Sequence, residues 1–354
     1  MRFGLSSLLS YGLTLLAALG ARRMGLGGFV NLALARYEGG EVEVNATVEV
    51  LKHYRNHLLV QTVACMAMRR AASSSQEGGS ALRRAGAVEA LLAAQGEHPT
   101  GAQLQVDALT VLAILAQSSR RSRAAIVRSG GVELALAAAA NLHGDVMVEA
   151  TASALLGSLA RAGNETSIAV RKAGGISHMV ETFRKCQDLT WAKRYVIAGL
   201  AGVTHVNSAN RVAVKEDGGI ELIVSAMEDH AEDVELQSSA CAALSNLALE
   251  SKSFTDAIIR AGAVERVLAA LHAHAREAAV RTPACVALQR LAASGQNFGR
   301  VALEEHAALC SRGSSEASDN TEKGADGEGY EAADRKRPRR RRHDKKRSKD
   351  ETGV

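Results

Sequence analysis

Ala85-Gly86-Ala87-Val88 is the first of five short segments in which a glycine precedes Gly or Ala and then an aliphatic residue. The other four are Ser129-Gly130-Gly131-Val132, Ala173-Gly174-Gly175-Ile176, Asp217-Gly218-Gly219-Ile220 and Ala261-Gly262-Ala263-Val264. The first glycine of each segment lies 44 residues after that of the segment before it. A fixed period of this length that relates five successive segments is typical of a protein built from stacked copies of one unit.

Other positions follow the same 44-residue period. Leucine recurs at Leu112, Leu156, Leu200, Leu244 and Leu288, and Met68 takes the position before them. A neighbouring position holds Cys65, Cys241 and Cys285 in three units and Leu109, Ser153 and Ile197 in the other three. Because small or apolar residues share this position, we expect the cysteines there to be buried apolar side chains.

Within one unit the pattern is helical. In the last full unit, an apolar-periodic stretch over residues 254–260 ends at the Gly262 turn, and a second helix is predicted over residues 264–272. Thr282 and Pro283 fit the N-cap and first position of a third helix. Because one such unit cannot bury its apolar face alone, neighbouring units are expected to stack into a solenoid.

The composition also indicates an all-α protein. Hydrophobic residues make up 47% of the chain, but aromatic residues make up only 3% and there are three prolines. This balance favours helices over β-sheets. The sequence contains no G-x-S-x-G elbow, P-loop, H-E-x-x-H or paired C-x-x-C motif. We therefore expect a protein that is not an enzyme and uses no cofactor.

The repeated unit resembles the armadillo repeat. Residues 241–248 are similar to the third-helix signature of that family, and residues 259–264 are similar to its turn between the first and second helices. The resemblance covers residues 42–310, with five full units, a degenerate unit in which Val42 takes the glycine position, and a partial unit over residues 298–309. It implies an all-α, right-handed superhelical solenoid. The third helices of such a solenoid line a concave groove that binds partner proteins or peptides. We expect the protein to be a monomer.

The groove residues differ from those of the import receptors in this family, in which Trp and Asn recur four residues apart. Only Asn246 matches that array, so the chain is not expected to be a receptor for basic import signals of that kind. The candidate partner-binding residues are Trp191, Arg194, Tyr195, His205, Asn246 and Arg290. The alternative for Trp191 and Tyr195 is that they fill core space around Gly199 and Gly202.

Neither a disulfide framework nor a metal site is predicted. The five cysteines have no short spacing, which favours reduced thiols in an intracellular compartment. Cys186, His230 and His274 occupy equivalent positions. However, packed helices lie about 8–10 Å apart, whereas zinc ligands must each approach one ion to about 2 Å.

The last 44 residues (311–354) differ from the repeats in composition, and we expect them to be disordered. Residues 313–334 contain seven acidic side chains, and residues 335–349 contain eleven Lys or Arg. The basic part is typical of a nuclear localisation signal that binds an import receptor, and its residues are Arg335, Lys336, Arg337, Pro338, Arg339, Arg340, Arg341, Arg342, Lys345, Lys346 and Arg347. The alternatives are a solvated basic end and a segment that binds nucleic acid.

The N-terminal residues 1–41 are open to two interpretations. Residues 3–20 carry no charge and follow Arg2, and Ala18-Leu19-Gly20 resembles a cleavage site, so a secretory signal is one interpretation. The interpretation we favour is a capping or truncated repeat helix, because a basic tail has no obvious use in a secreted protein. The chain is therefore expected in the nucleus or cytoplasm, with a secreted or membrane-anchored protein as the alternative.

Overall fold

The computed structural model describes residues 41–187, 189–293 and 309–310. This part of the chain contains seventeen α-helices and no strand, which confirms the predicted all-α class. The helices are α1 Glu41–His53, α2 Leu58–Ser74, α3 Gln76–Arg84, α4 Ala87–Glu97, α5 Ala102–Ser118, α6 Arg120–Arg128, α7 Gly131–Asn141, α8 Val146–Ala160, α9 Asn164–Lys172, α10 Gly175–Lys185, α11 Thr190–Thr204, α12 Ser208–Glu216, α13 Gly219–Asp229, α14 Val234–Leu247, α15 Lys252–Arg260, α16 Ala263–Ala273 and α17 Ala278–Ala293.

These helices form five complete three-helix repeats, from α3–α5 to α15–α17. Helices α1 and α2 take the places of the second and third helices of the preceding unit, as the degenerate unit at Val42 predicts. The N-terminal segment, the basic tail and nearly all of the predicted partial unit lie outside the described residues. The repeat count is thus confirmed over the part of the chain that the structure describes.

Each repeat turns at its predicted glycine. Gly86, Gly130, Gly174, Gly218 and Gly262 have φ angles between +78° and +83° and are the N-cap residues of the second helices. Side chains with a Cβ are disfavoured in this left-handed conformation. The recurrent glycine therefore marks a sharp reversal that joins the first helix of each repeat to the second.

The third helices of successive repeats pack side by side. Each contacts the third helix of the next repeat extensively, whereas the second helices of adjacent repeats contact each other lightly. Because spacing is tighter on the third-helix side, the stack curves toward that side. We call the surface formed by α2, α5, α8, α11, α14 and α17 the concave face.

A buried polar residue recurs near the start of every third helix at the 44-residue period. The residues are Gln61, Gln105, Glu149, Lys193, Gln237 and Arg281, and all six are buried. The amide of Gln237 donates to the carbonyls of Met227 (2.8 Å) and His230 (3.0 Å) at the end of the second helix. Gln61 and Gln105 make the same pair of bonds in their own repeats. These glutamines fix the third helix to the second.

Helix α17 begins earlier than predicted. It starts at Ala278, so Pro283 lies inside the helix and is not its first residue. A proline cannot donate to the carbonyl four residues before it, here that of Ala279. The hydroxyl of Ser238 on α14 donates to that carbonyl at 2.6 Å. The boundary prediction failed because a neighbouring repeat supplies the missing donor, which sequence patterns within one unit do not show.

The cysteines also depart from expectation. Cys285 on α17 forms a disulfide with Cys310, with Cα atoms 5.6 Å apart, so the prediction of reduced thiols is wrong for this pair. Cys65, Cys186 and Cys241 are free and buried, and burial raises the pKa of the Cys241 thiol to about 12. The bond was missed because Cys310 lies 25 residues from its partner and outside the repeated pattern.

We expect Ser238→Ala to destabilise the protein by about 0.5–1.5 kcal/mol, because the Ala279 carbonyl loses its donor. In a Pro283→Ala background, the new backbone N–H at position 283 can donate to the same carbonyl, so the cost of Ser238→Ala should fall. Urea unfolding of the four proteins in this double-mutant cycle measures the coupling. Equal costs in the two backgrounds would contradict the account.

We expect protein purified in air, then unfolded and alkylated without reductant, to have three labelled cysteines by mass spectrometry and five after reduction. Cys285→Ser should lower the free energy of unfolding by about 3 kcal/mol, because the disulfide no longer restricts the unfolded chain. The control is Cys241→Ser under the same conditions, which should leave the disulfide intact. Five labelled cysteines without reductant would show that the bond does not form.

Candidate partner-binding surface

Trp191 and Tyr195 lie on successive turns at the start of α11, on the concave face. Their ring centroids are 6.1 Å apart and the rings meet edge to face at 78°. Both side chains are half-buried and pack against the core on one side. Aromatic pairs in this geometry are favourable beyond the area that they bury. The two rings therefore form a preorganised apolar surface with one side open to solvent.

Arg194 links this surface to the next repeat. Its guanidinium donates to Asp233 at 2.6 Å and to Glu235 at 2.9 Å, at the start of α14. Asp233 also accepts from the Leu236 amide as the N-cap of α14. Burial acts to raise the pKa of the Asp233 carboxyl, but the Leu236 amide and Arg194 outweigh it and lower that pKa. The result is a fixed charged border beside the aromatic pair.

Two exposed apolar side chains lie at the starts of α8 and α11, the second of which also carries the aromatic pair. Met147 is 46% exposed and Leu189 is 41% exposed. Met147 lies 44 residues before Trp191, at the equivalent position of the preceding third helix. We call Met147, Leu189, Trp191 and Tyr195 the Trp191 surface. Met147 was not among the residues predicted from the sequence, although the position that it shares with Trp191 was a signal that could have found it.

Helices α8 and α11 approach each other closely at three buried glycines, Gly157, Gly199 and Gly202. A Cβ added at Gly199 would lie 2.6 Å from the Ser153 carbonyl oxygen, and one added at Gly202 would overlap the backbone of Gly157. Backbone of α8 therefore fills the space around these two glycines. The atoms nearest these two positions thus belong to α8 and not to the Trp191 or Tyr195 ring, although both rings pack against the core.

The other predicted residues lie at the opposite end of the third helices. His205 follows the last residue of α11, about 21 Å from Trp191 at 1.5 Å per residue. Asn246 is buried and donates to the Ala201 carbonyl and the Thr204 hydroxyl. Arg290 donates to the Ser245 carbonyl at 2.9 Å. The structure thus divides the six candidates into two groups rather than one site.

The recurrent histidines after the second helices have a structural role. The ring of His98 hydrogen-bonds to the Arg55 carbonyl at 2.6 Å, and that of His274 to the Ala231 carbonyl at 2.8 Å, each one repeat back. His230 contacts the Thr190 hydroxyl at 3.3 Å. Within the described ranges, no group of three or more His, Cys, Asp or Glu residues is placed to hold a metal ion.

A helix that crosses a membrane must be both long and apolar. None of the described helices meets both conditions. The described part of the chain is an α-solenoid built from three-helix units. Its repeats, its curvature toward the third helices and its recurrent buried polar positions define this class.

Comparison with known proteins identifies the unit. The family model of the Armadillo/beta-catenin-like repeat matches residues 207–249, which correspond to α12, α13 and α14. Residues 207–249 are thus an armadillo-type repeat, and the other repeats follow the same 44-residue period. No curated protein sequence matches it.

Solved structures share this fold. One engineered protein is 26% identical, with a TM-score of 0.57, over 71% of this chain and 97% of its own. A second is 25% identical, with a TM-score of 0.59, over 79% and 68%. A designed armadillo repeat protein in complex with the peptide (KR)4 is 19% identical, with a TM-score of 0.53, over 70% and 99%. These matches confirm the predicted superhelical solenoid.

We expect Gly202→Ala to destabilise the protein by about 1–3 kcal/mol, because the added methyl group would force α8 and α11 apart. The matched control is Gly96→Ala, since Gly96 lies in helix α4 with open space where a Cβ would go. Thermal unfolding of both variants measures the difference. Equal stability of Gly202→Ala and wild type would mean that the two helices are not in close contact.

Proposed function

We propose that this protein is a non-enzymatic binding scaffold that holds a segment of a partner protein on its concave face, with the Trp191 surface as the main anchor. The observation that carries the proposal is the half-buried Trp191–Tyr195 pair, together with exposed Met147 and Leu189 at the starts of the same and the preceding third helix. Trp, Tyr and Arg supply most of the binding energy in many interfaces because they bury large areas at low entropic cost.

The charged border supports the same function. Arg194 is held by Asp233 and Glu235, so its position is set before a partner binds. The Glu235 side chain is 73% exposed and can also accept a hydrogen bond from a partner. These groups neutralise one another instead of surrounding a reacting atom, which favours binding over catalysis. The designed armadillo repeat protein solved with (KR)4 supports a peptide as the form of the bound segment.

We expect Trp191→Ala to weaken capture of a specific partner from cell extract by at least about 30-fold, as loss of an interface anchor worth about 2 kcal/mol requires. The control is Val212→Ala, because Val212 is exposed on α12, a first helix, and not on the concave face. Circular dichroism confirms that both variants fold. A partner retained equally by wild type and Trp191→Ala would overturn the assignment of this surface.

We also propose that residues 335–347 direct the protein to the nucleus through an import receptor. The support is the density of Lys and Arg in the sequence, with Pro338 favouring an extended backbone. A fluorescent fusion of the full chain should accumulate in the nucleus, and deletion of residues 335–349 should abolish that accumulation. Nuclear accumulation that survives the deletion, or secretion of the fusion, would contradict the proposal.

A further inference from the structure

A second group of cationic side chains lies at the C-terminal ends of the third helices. Arg161 follows α8 and His205 follows α11, at equivalent positions 44 residues apart. One turn earlier, the backbones of Gly157 and Gly202 are in close contact. The side chains of Arg161 and His205 therefore extend from neighbouring points on the protein surface, and both are exposed.

Arg290 reaches the same region from two repeats further along. Its guanidinium donates to the carbonyl (2.9 Å) and hydroxyl (2.8 Å) of Ser245 on α14. The adjacent Asn246 donates to the hydroxyl of Thr204, the residue before His205. This chain of contacts connects α17 to the end of α11. We call Arg161, His205 and Arg290 the basic cluster.

The positive charge of the basic cluster is not neutralised within the described residues. Arg211, on α12, donates to the Thr204 carbonyl and pairs with Glu250, whereas Arg161 and Arg290 form no ion pair in the described part of the chain. Burial lowers the pKa of His205, and the charges of Arg161, Arg290 and Arg211 lower it further. The positive charge around His205 thus favours the binding of an anion.

Helix capping accounts for only some of these arginines. Cations are favourable near the C-terminal carbonyls of helices, and Arg123 and Arg211 each donate to such a carbonyl, those of Ala116 and Thr204. Arg161 makes no equivalent contact, and Arg290 uses one terminal nitrogen of its guanidinium, leaving other donors available. Capping therefore leaves two guanidinium groups available to a ligand.

We propose that the basic cluster binds the carboxylates of an acidic segment in the same partner peptide that the Trp191 surface anchors. The inference rests on the proposed function. The two sites are separated by the length of α11, about 21 Å, and an extended peptide rises about 3.3 Å per residue. The acidic residues of the partner should therefore lie about six positions from its apolar anchor.

The number of charges favours a peptide over a nucleic acid. Affinity for a nucleic-acid backbone grows with the number of phosphates that Lys and Arg neutralise, whereas the basic cluster offers two guanidinium groups and one imidazole. Two or three carboxylates match that number. Guanidinium groups bind carboxylates through paired N–H donors, which also selects the geometry of the ligand.

The test uses three labelled probes and fluorescence anisotropy on the full chain. The first is a peptide with two leucines, a four-residue Gly/Ser spacer and four glutamates, and the second replaces the glutamates by glutamines. The third is a twelve-nucleotide oligo(dT). We expect the wild-type chain to bind the glutamate peptide at least tenfold more tightly than the glutamine peptide. Equal binding of the two peptides would overturn the proposal.

Variants separate this proposal from the proposed function. Arg161→Gln combined with Arg290→Gln should remove the preference for glutamate, and the control Arg128→Gln, an exposed cation on α6, should not. Trp191→Ala should weaken binding of both peptides by a similar factor. Unchanged binding by this variant would count against the anchor and not against the basic cluster. If oligo(dT) binds more tightly than the glutamate peptide, and the double variant no longer binds oligo(dT), the ligand of the basic cluster is a nucleic acid and not an acidic peptide.

His205 gives a second readout. A bound carboxylate favours the protonated imidazole, so the pKa of His205 should rise on binding, and binding of the glutamate peptide should tighten as the pH falls from 7.5 to 6. The other charged groups that face His205 are Arg161, Arg211 and Arg290, and Glu250 pairs with Arg211. His205→Gln should abolish this tightening. An unchanged pH dependence in His205→Gln would exclude His205 from the site.

Discussion

Close packing between the third helices of successive repeats is the interaction on which the rest of the structure depends. It is tightest between α8 and α11, where Gly157, Gly199 and Gly202 bring the two backbones into contact. Because the second helices are not drawn together to the same extent, the stack must curve toward its third helices. The proximity of Arg161 and His205, at the ends of α8 and α11, follows from this contact.

The polar groups of the described solenoid serve this packing. Glutamines near the start of the third helices bind carbonyls of the second helices within each repeat. In two middle repeats the equivalent residues are Glu149, which pairs with Lys185, and Lys193, which pairs with Asp229. Ser238 and Asn246 add hydrogen bonds between repeats. These bonds set the relative positions of the third helices, and therefore of any groups that bind along them.

Features that follow the 44-residue period were predicted correctly from the sequence, whereas features that depend on contacts outside that period were missed. The turn at Gly262 and the second helix after it were correctly placed because each follows from residues close together in the chain. The start of α17 was wrong because Ser238, on another repeat, satisfies the carbonyl that Pro283 leaves free. The disulfide of Cys285 was missed because its partner follows no repeat. Trp191 was predicted as a binding residue from its residue type. Arg161 was recognised as a candidate only because the structure places it near His205.

We expect the partner to bind along the concave face between the two ends of α11. Ala198 lies on α11 between Trp191 and His205 and is half-exposed, whereas Val212 is exposed on α12. A photocrosslinking amino acid at each position, in separate proteins exposed to the partner captured by the wild-type chain, tests this path directly. The account predicts crosslinks from position 198 and none from position 212. Crosslinks from position 212 alone would contradict binding on the concave face.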